Sequence, residues 1–85
     1  MQNIQEAGWV MQYNEEVDAR GLSCPMPLLK AKLALNGMAP GQVLQVLATD
    51  AGSQRDIASF CQLAGHQLLY QEQTPEGVFV YLICK

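Results

Sequence analysis

Residues 24–49 read CPMPLLKAKLALNGMAPGQVLQVLAT and decide the fold, because they place an amphipathic helix directly before an apolar strand. Pro25 lies where the start of a helix tolerates a residue without an N–H group, and either Ser23 or Cys24 would cap that helix. Its apolar side chains fall on one helical stripe, which consists of Leu28, Ala31, Leu35 and Met38. We therefore predict a helix over residues 24–38, ended by the glycine and proline residues that follow.

Two further elements and one weaker strand are predicted on either side of this helix. Residues 42–49 predict a strand that is apolar on both faces, as in the centre of a sheet. A weak alternation over residues 13–18 predicts an earlier strand. Ser53-Gln-Arg-Asp56 resembles a capping box that opens a second helix, which Gly65 ends. The apolar stripe of this second helix consists of Ile57, Phe60, Cys61 and Ala64.

The last twenty residues predict a β-hairpin, because residues 67–73 and 78–84 flank a Thr-Pro-Glu-Gly turn at residues 74–77. The element order is then β-α-β-α-β-β. The economical arrangement is an α/β (α+β) fold, a two-layer sandwich with two helices on one face of a four-stranded mixed sheet. The β-α-β crossover makes one strand pair parallel, with a right-handed connection.

The last strand is expected to place Phe79, Tyr81 and Ile83 on the sheet face away from the helices. An apolar patch of this kind on a small domain is typical of a partner surface or a self-association surface. The alternative is that the patch lies under Trp9 and the rest of the leader. The sequence leaves both interpretations open.

The chain has 85 residues and a mass of 9.3 kDa, which is one domain with one small core. This length excludes two catalytic domains, a full dinucleotide-binding unit and a barrel. A composition of 49% hydrophobic and 15% charged residues excludes a disordered chain. We predict a single domain over residues 13–85, preceded by a partly ordered leader over residues 1–12.

The charge balance argues against nucleic acid as the main partner. The net charge is −3 and the isoelectric point is near 4.8, whereas nucleic-acid affinity depends on many Lys and Arg contacts with phosphate. A protein or small-molecule partner is expected instead. The N-terminus lacks the pattern of a signal peptide, and no apolar run approaches the ~20 residues that span a membrane. We therefore expect a cytoplasmic protein without membrane contact.

Three widely spaced cysteines and one histidine give little support for a zinc site or a disulfide framework, and no cofactor is expected. Cys24 is the candidate reactive group, because free N–H groups and the dipole at a helix N-terminus favour an anion. We expect the pKa of its thiol to be lowered, and Pro25 and Pro27 to rigidify its approach. The alternative is that Cys24 is only a small cap residue. Cys61 and Cys84 are expected to pack among apolar side chains.

Charged residues near the thiol have more than one interpretation. Arg20 would contact a thiolate or a bound sulfur oxyanion, or else pair with Asp18. Arg55 is the candidate for a docking or anion contact, whereas Asp56 is interpreted as a carboxylate at a helix start. His66 is interpreted as a cation near a helix C-terminus rather than as a catalytic base.

The segment Asp18-Ala-Arg-Gly-Leu-Ser-Cys-Pro-Met-Pro27 resembles the D-x-x-G-x-x-C-P-x-P signature of the TusA/SirA-like sulfur-carrier family. The resemblance covers residues 14–85 in order and implies the same β-α-β-α-β-β sandwich. It continues through Pro40-Gly41, Thr49-Asp50, Arg55-Asp56-Ile57 and Phe60-Cys61 to the closing Tyr81-Leu-Ile-Cys-Lys85.

The resemblance implies a sulfur relay. Cys24 matches the family cysteine that accepts sulfane sulfur as a persulfide from a donor such as a cysteine desulfurase and yields it to an acceptor protein. The destinations in the family include tRNA thiolation, molybdenum-cofactor assembly and other sulfur metabolism. Asp18, Arg20, Gly21, Pro25 and Pro27 match the supporting positions of the motif, with Gly21 allowing the loop to turn toward the helix.

The chain departs from the family pattern in two segments. Members commonly have Glu between the two prolines, where this chain has Met26, and Asp-Asp-Pro after the second strand, where it has Thr49-Asp50-Ala51. Met26 and Asp50, together with Arg55 at the start of the second helix, are the positions expected to bear on partner or anion contacts. The expected activity is that of a sulfurtransferase acting as a persulfide carrier. The alternative, motivated by Met26, is a non-catalytic regulatory or protein-interaction domain.

Overall fold

A computed structural model describes residues 12–85 of the chain. They form six elements in the predicted order. The bounds are β1 Glu15–Ala19, α1 Met26–Asn36, β2 Val43–Ala48, α2 Gly52–Ala64, β3 Gln67–Gln73 and β4 Phe79–Cys84. The predicted leader over residues 1–12, which includes Trp9, lies outside the described residues except for Gln12.

The four strands form one mixed sheet in the order β1-β2-β4-β3. β1 and β2 pair in parallel, as strands joined by a helical crossover do, whereas β4 pairs antiparallel with both β2 and β3. Both helices pack against the same face of this sheet. The prediction of an α/β (α+β) two-layer sandwich is therefore confirmed.

The hydrophobic core lies between the helices and one sheet face. The two central strands supply three pairs of neighbouring buried side chains, which are Leu44 with Ile83, Val46 with Tyr81 and Ala48 with Phe79. The helices contribute Ala31 and Leu35 from α1, and Ile57 and Cys61 from α2. These helical residues belong to the predicted apolar stripes, so the periodicity of both helices identified their buried sides.

The prediction that Phe79, Tyr81 and Ile83 lie on the face away from the helices is wrong, because all three belong to the core. Residues 78–84 are apolar at every position, so alternation along β4 does not decide which side chains face inward. The register does decide it, since Tyr81 lies beside the buried Val46 of β2. The outer face carries the intervening side chains of β4, which are Val80, Leu82 and Cys84.

The start of α2 also differs from the prediction, because Ser53 does not form a capping box. Its Oγ is buried and lies 2.7 Å from Tyr81 Oη, so this hydroxyl joins α2 to β4. Asp50 serves the helix start instead, since its Oδ2 accepts a hydrogen bond from the N–H of Gly52 at 2.9 Å. Gly65 ends α2 as predicted, in the left-handed conformation with a φ of 80°.

Candidate functional site

The loop between β1 and α1 carries Cys24 to the edge of the sheet where the parallel strands end. The N–H of Gly21 donates to Thr49 Oγ1 at 2.9 Å, which ties this loop to the residue after β2. Gly21 has a φ of 82°, a conformation that glycine adopts without the penalty of a Cβ, in agreement with its predicted role in the turn. The N–H of Leu22 donates to the carbonyl oxygen of Ala19 at 3.2 Å and closes the turn.

The two prolines of the motif have different positions at the start of α1. Pro25 is the residue at the helix cap and no side chain caps the helix, so the prediction of a Ser23 or Cys24 cap is wrong. Pro27 is buried and anchors the first turn, whereas Met26 between them is 41% exposed. The peptide bond between Cys24 and Pro25 is cis. Because α1 begins at Met26, the Cys24 thiol precedes the helix by two residues.

The side chain of Cys24 contacts the first turns of α2. Its Sγ donates a hydrogen bond to Asp56 Oδ2 at 2.7 Å. Gly52 approaches so closely that a Cβ there would lie 3.4 Å from Cys24 Cβ and 3.6 Å from Cys24 Sγ. The site is thus formed by two segments that lie about thirty positions apart in the chain. Neither Gly52 nor Asp56 was predicted to contact the thiol.

The negative charges of this second segment raise the pKa of the Cys24 thiol above its usual value. The hydrogen bond to Asp56 is the largest cause, followed by partial desolvation and by the charges of Asp56 and Asp50. The positive charge of Arg55 acts in the opposite direction. The predicted fall in the pKa of Cys24 is therefore wrong, because a carboxylate 2.7 Å away outweighs a helix dipole worth about half a charge.

Arg20 adopts the second of the two interactions that the sequence allowed. Its Nε and Nη2 each donate to a carboxylate oxygen of Asp18 at 2.8 Å, a bidentate pair. Arg20 lowers the pKa of the Asp18 carboxyl to about 2, chiefly through the side-chain hydrogen bonds. Because both side chains are half exposed, this pair fixes the loop before Cys24 more than it stabilises the fold.

Asp50 and Arg55 both lie in the segment that faces the thiol. Asp50 holds the N–H of Gly52, and its charge disfavours a thiolate at Cys24. Arg55 is exposed, and its charge favours one. That these residues, or Met26, contact a partner or an anion stays a prediction.

A groove between the two helices opens beside the thiol, and we call it the interhelical groove. It is lined by Leu28, Lys32, Asp56, Ser59, Phe60, Leu63 and Ala64. The Nζ of Lys32 lies 5.6 Å from the centroid of the Phe60 ring, within the range of a cation–π interaction. Asp56 belongs both to the wall of this groove and to the hydrogen bond with Cys24.

The other two cysteines differ from Cys24 in their surroundings. Cys61 is 3% exposed, which confirms its predicted place in the core, and burial raises the pKa of its thiol. Cys84 is half-buried at the end of β4, less enclosed than predicted. Cys24 is therefore the exposed thiol of the three.

His66 follows α2, and the centroid of its ring lies 5.4 Å from the centroid of the Phe60 ring.

Residues 12–85 contain no group of three or more His, Cys, Asp or Glu side chains arranged to hold a metal ion. In the same described part of the chain, no helix is long and apolar enough to cross a membrane.

The fold and the site together define a class of protein. Its members are small α+β domains that present one exposed thiol at a C-P-x-P motif. The chain belongs to the TusA family, because residues 15–85 match the family model described as Sulfurtransferase TusA.

Related proteins are similar to this protein over most of its length. Sulfur carrier protein TusA of Allochromatium vinosum is 45% identical over 73 residues, which cover 86% of this chain and 95% of that protein. Sulfur carrier protein TusA of Pseudomonas putida strain F1 is 44% identical over 69 residues, which cover 81% and 85%. The crystal structure of a SirA-like protein from Desulfitobacterium hafniense matches with a TM-score of 0.76 at 28% identity, covering 84% and 96%.

Proposed function

We propose that this protein is a cytoplasmic sulfur carrier that holds sulfane sulfur on Cys24 as a persulfide. The observation that carries the proposal is the position of Cys24, the exposed cysteine of the three, within the C-P-x-P motif of a TusA-family fold. Its relatives in Allochromatium and Pseudomonas carry the name sulfur carrier protein. The donor is a persulfide-bearing protein such as a cysteine desulfurase, and the acceptor is a second protein thiol.

The chemistry is an exchange between sulfur atoms and needs no external oxidant or reductant. The Cys24 thiol gives up its proton, and the thiolate attacks the outer sulfur of the donor persulfide. A new S–S bond forms on Cys24 while the S–S bond of the donor breaks, and the electron pair and a proton go to the donor thiol. The reverse sequence on an acceptor thiol regenerates Cys24.

The geometry suits a carrier whose substrates are attached to other proteins. The thiol stands at the surface before α1, and Pro27 in the core holds the first turn of that helix in place. A fixed thiol loses little conformational entropy when a partner approaches it. The possible destinations of the sulfur are tRNA thiolation, molybdenum-cofactor assembly and other sulfur metabolism.

Intact-protein mass spectrometry tests the proposal. The reduced protein is incubated with a cysteine desulfurase and cysteine, and a gain of one sulfur atom is expected. Cys24→Ser should abolish the gain, whereas the matched control Cys84→Ser should retain it, because Cys84 is half-buried outside the motif. If none of several desulfurases loads the wild-type protein, the carrier function is refuted.

One observation favours a second function, that of a non-catalytic regulatory or protein-interaction domain. The carboxylates around Cys24 raise the pKa of its thiol, which lowers its reactivity at neutral pH, and Met26 adds apolar surface beside it. Such a domain would bind a partner protein without gaining sulfur. Binding of the wild-type protein by isothermal titration calorimetry, together with no gain of a sulfur atom in the intact mass after incubation with a cysteine desulfurase and cysteine, separates this function from a relay.

A further inference from the structure

Asp56 connects the reactive thiol with the interhelical groove. Its Oδ2 accepts the hydrogen bond of Cys24 Sγ at 2.7 Å, and its side chain also lines the groove. The side chain is half-buried, so it is reachable from solvent on the groove side. A change in the surroundings of this carboxylate therefore reaches the sulfur through one hydrogen bond.

The charges that face Cys24 come from one segment of the chain. They are the carboxylates of Asp56 and Asp50 and the guanidinium of Arg55. Among residues 12–85, one pair of oppositely charged groups lies within 4.0 Å, and it joins Arg20 to Asp18. Asp56 therefore has no cation within that distance in the described part of the chain. Lys32, which lines the same groove, lies over the Phe60 ring.

We propose that Asp56 restrains Cys24 as a protonated thiol in the free carrier, and that a Lys or Arg side chain of a sulfur-transfer partner, entering the interhelical groove, pairs with Asp56 and releases the thiol. This inference rests on the proposed function, because it assigns a mode of activation to the same site. The chemistry of the partner follows from the groove, where Asp56 has no cation within 4.0 Å among residues 12–85 and lies beside the apolar side chains of Leu28 and Phe60. Lys32, the cation that also lines the groove, lies over the Phe60 ring instead.

The released proton has a defined path. When a cation pairs with Asp56, the carboxylate no longer holds the S–H proton, which passes to solvent, and no bond between heavy atoms forms or breaks in this step. The thiolate then performs the exchange described above. Activation is thereby confined to the docked complex, and the free carrier does not react with small thiols and disulfides at the full rate of a thiolate.

The first arm of the test measures alkylation of Cys24 by iodoacetamide between pH 6 and 10, with peptide mass spectrometry to separate Cys24 from the other cysteines. Asp56→Asn keeps the shape of the side chain and removes its charge. The rate profile is expected to move to lower pH. For each unit by which the midpoint of the profile falls, the fraction of thiolate at a pH below the midpoint rises about tenfold. The nucleophilicity of that thiolate falls about threefold, so the net rate of alkylation rises about threefold.

Asp50→Asn is the matched control, because it removes an equal charge that does not hydrogen-bond to the sulfur. A smaller displacement than for Asp56→Asn is expected. An unchanged or slower alkylation of Asp56→Asn, or an equal displacement in both variants, would overturn the restraint.

The second arm measures sulfur transfer from a cysteine desulfurase loaded by cysteine, as a function of carrier concentration. Asp56→Asn should raise KM, because the partner cation loses its carboxylate, and should leave kcat within about twofold, because the complex has already released the thiol. An increase in kcat would show that the restraint persists in the complex, and an unchanged KM would show that no cation pairs with Asp56. Either result overturns the release.

Failure of the proposed function is distinguishable from failure of this inference. If wild-type Cys24 accepts no sulfur, the carrier function fails, while alkylation without a donor still decides whether Asp56 restrains the thiol. If wild type is loaded normally and Asp56→Asn behaves as wild type in both arms, the carrier function stands and the restraint is refuted.

Discussion

Gly52→Ala is the substitution at which the structure predicts two opposing effects of similar size. A Cβ at this position would lie 2.9 Å from Asp50 Oδ2, about 0.5 Å inside the 3.4 Å at which ordinary contacts begin. The carboxylate must therefore move away and lose its 2.9 Å hydrogen bond with the N–H of residue 52. Losing a side-chain acceptor at a helix start costs about 0.5–2 kcal/mol.

The gain acts in the opposite direction. Alanine is favoured over glycine in a helix by up to about 1 kcal/mol. In the wild-type background, the net effect of Gly52→Ala on the free energy of unfolding should lie between about 2 kcal/mol of destabilisation and about 0.5 kcal/mol of stabilisation. In the Asp50→Ala background the carboxylate is already absent, and the same change should stabilise the protein by up to about 1 kcal/mol.

The assay is urea denaturation at 25 °C, followed by far-UV circular dichroism, for the wild type, both single variants and the double variant. The expected coupling between the two positions is about 0.5–2 kcal/mol, equal to the lost hydrogen bond and clash. Additive effects, with Gly52→Ala equally stabilising in both backgrounds, would refute the close approach of Gly52 to Asp50.

Three further predictions follow from the contacts of individual side chains. Tyr81→Phe leaves the buried hydroxyl of Ser53 without its partner and should lower the free energy of unfolding by about 1–3 kcal/mol. The Ser53→Ala/Tyr81→Phe double variant should be destabilised by less than the sum of the two single variants. Urea denaturation measures the free energy of unfolding of all three variants. Arg20→Gln should raise the pKa of Asp18 from about 2 toward its ordinary value, as followed by NMR titration of the carboxyl carbon, and an unmoved titration would contradict the bidentate pair. The stabilisation of the loop by this pair is present above the ordinary pKa of an aspartate and is lost as the pH falls toward 2. Gly65→Ala should cost about 1 kcal/mol in thermal or urea unfolding, because a Cβ there meets no atom within 4 Å and the cost is that of a φ of 80° alone.

The elements of the fold were predictable because their signals are local. Pro25 at the helix start, the stripe through Ala31 and Leu35, and Gly65 at the end of α2 each depend on a few neighbouring residues. The face of β4 was not predictable in this way. Phe79 and Val80 are both suited to a core, and only the pairing of β4 with β2 decides which of them points toward the helices.

The contacts of the site required tertiary information for the same reason. Asp56 lies 32 residues after Cys24, and its local signal, an acid three residues after a serine near a helix start, is the signal of a capping box. Nothing in the sequence around Asp56 indicates a thiol as its partner. The sequence around Gly52 does not indicate its approach to Cys24 either, since a glycine between a strand and a helix is ordinary in a loop.

The C-P-x-P motif therefore determines where the thiol lies, and the charges of the segment around α2 raise the pKa of that thiol. The dipole of α1 acts within a turn and is worth about half a charge, and Cys24 precedes that helix by two residues without capping it. Asp56 is a full charge in direct contact with the sulfur. A family member with the same motif and a neutral residue at this position should carry a more reactive free thiol. Variation in the α2 segment is thus the place where carriers with one motif can differ in the partners that activate them.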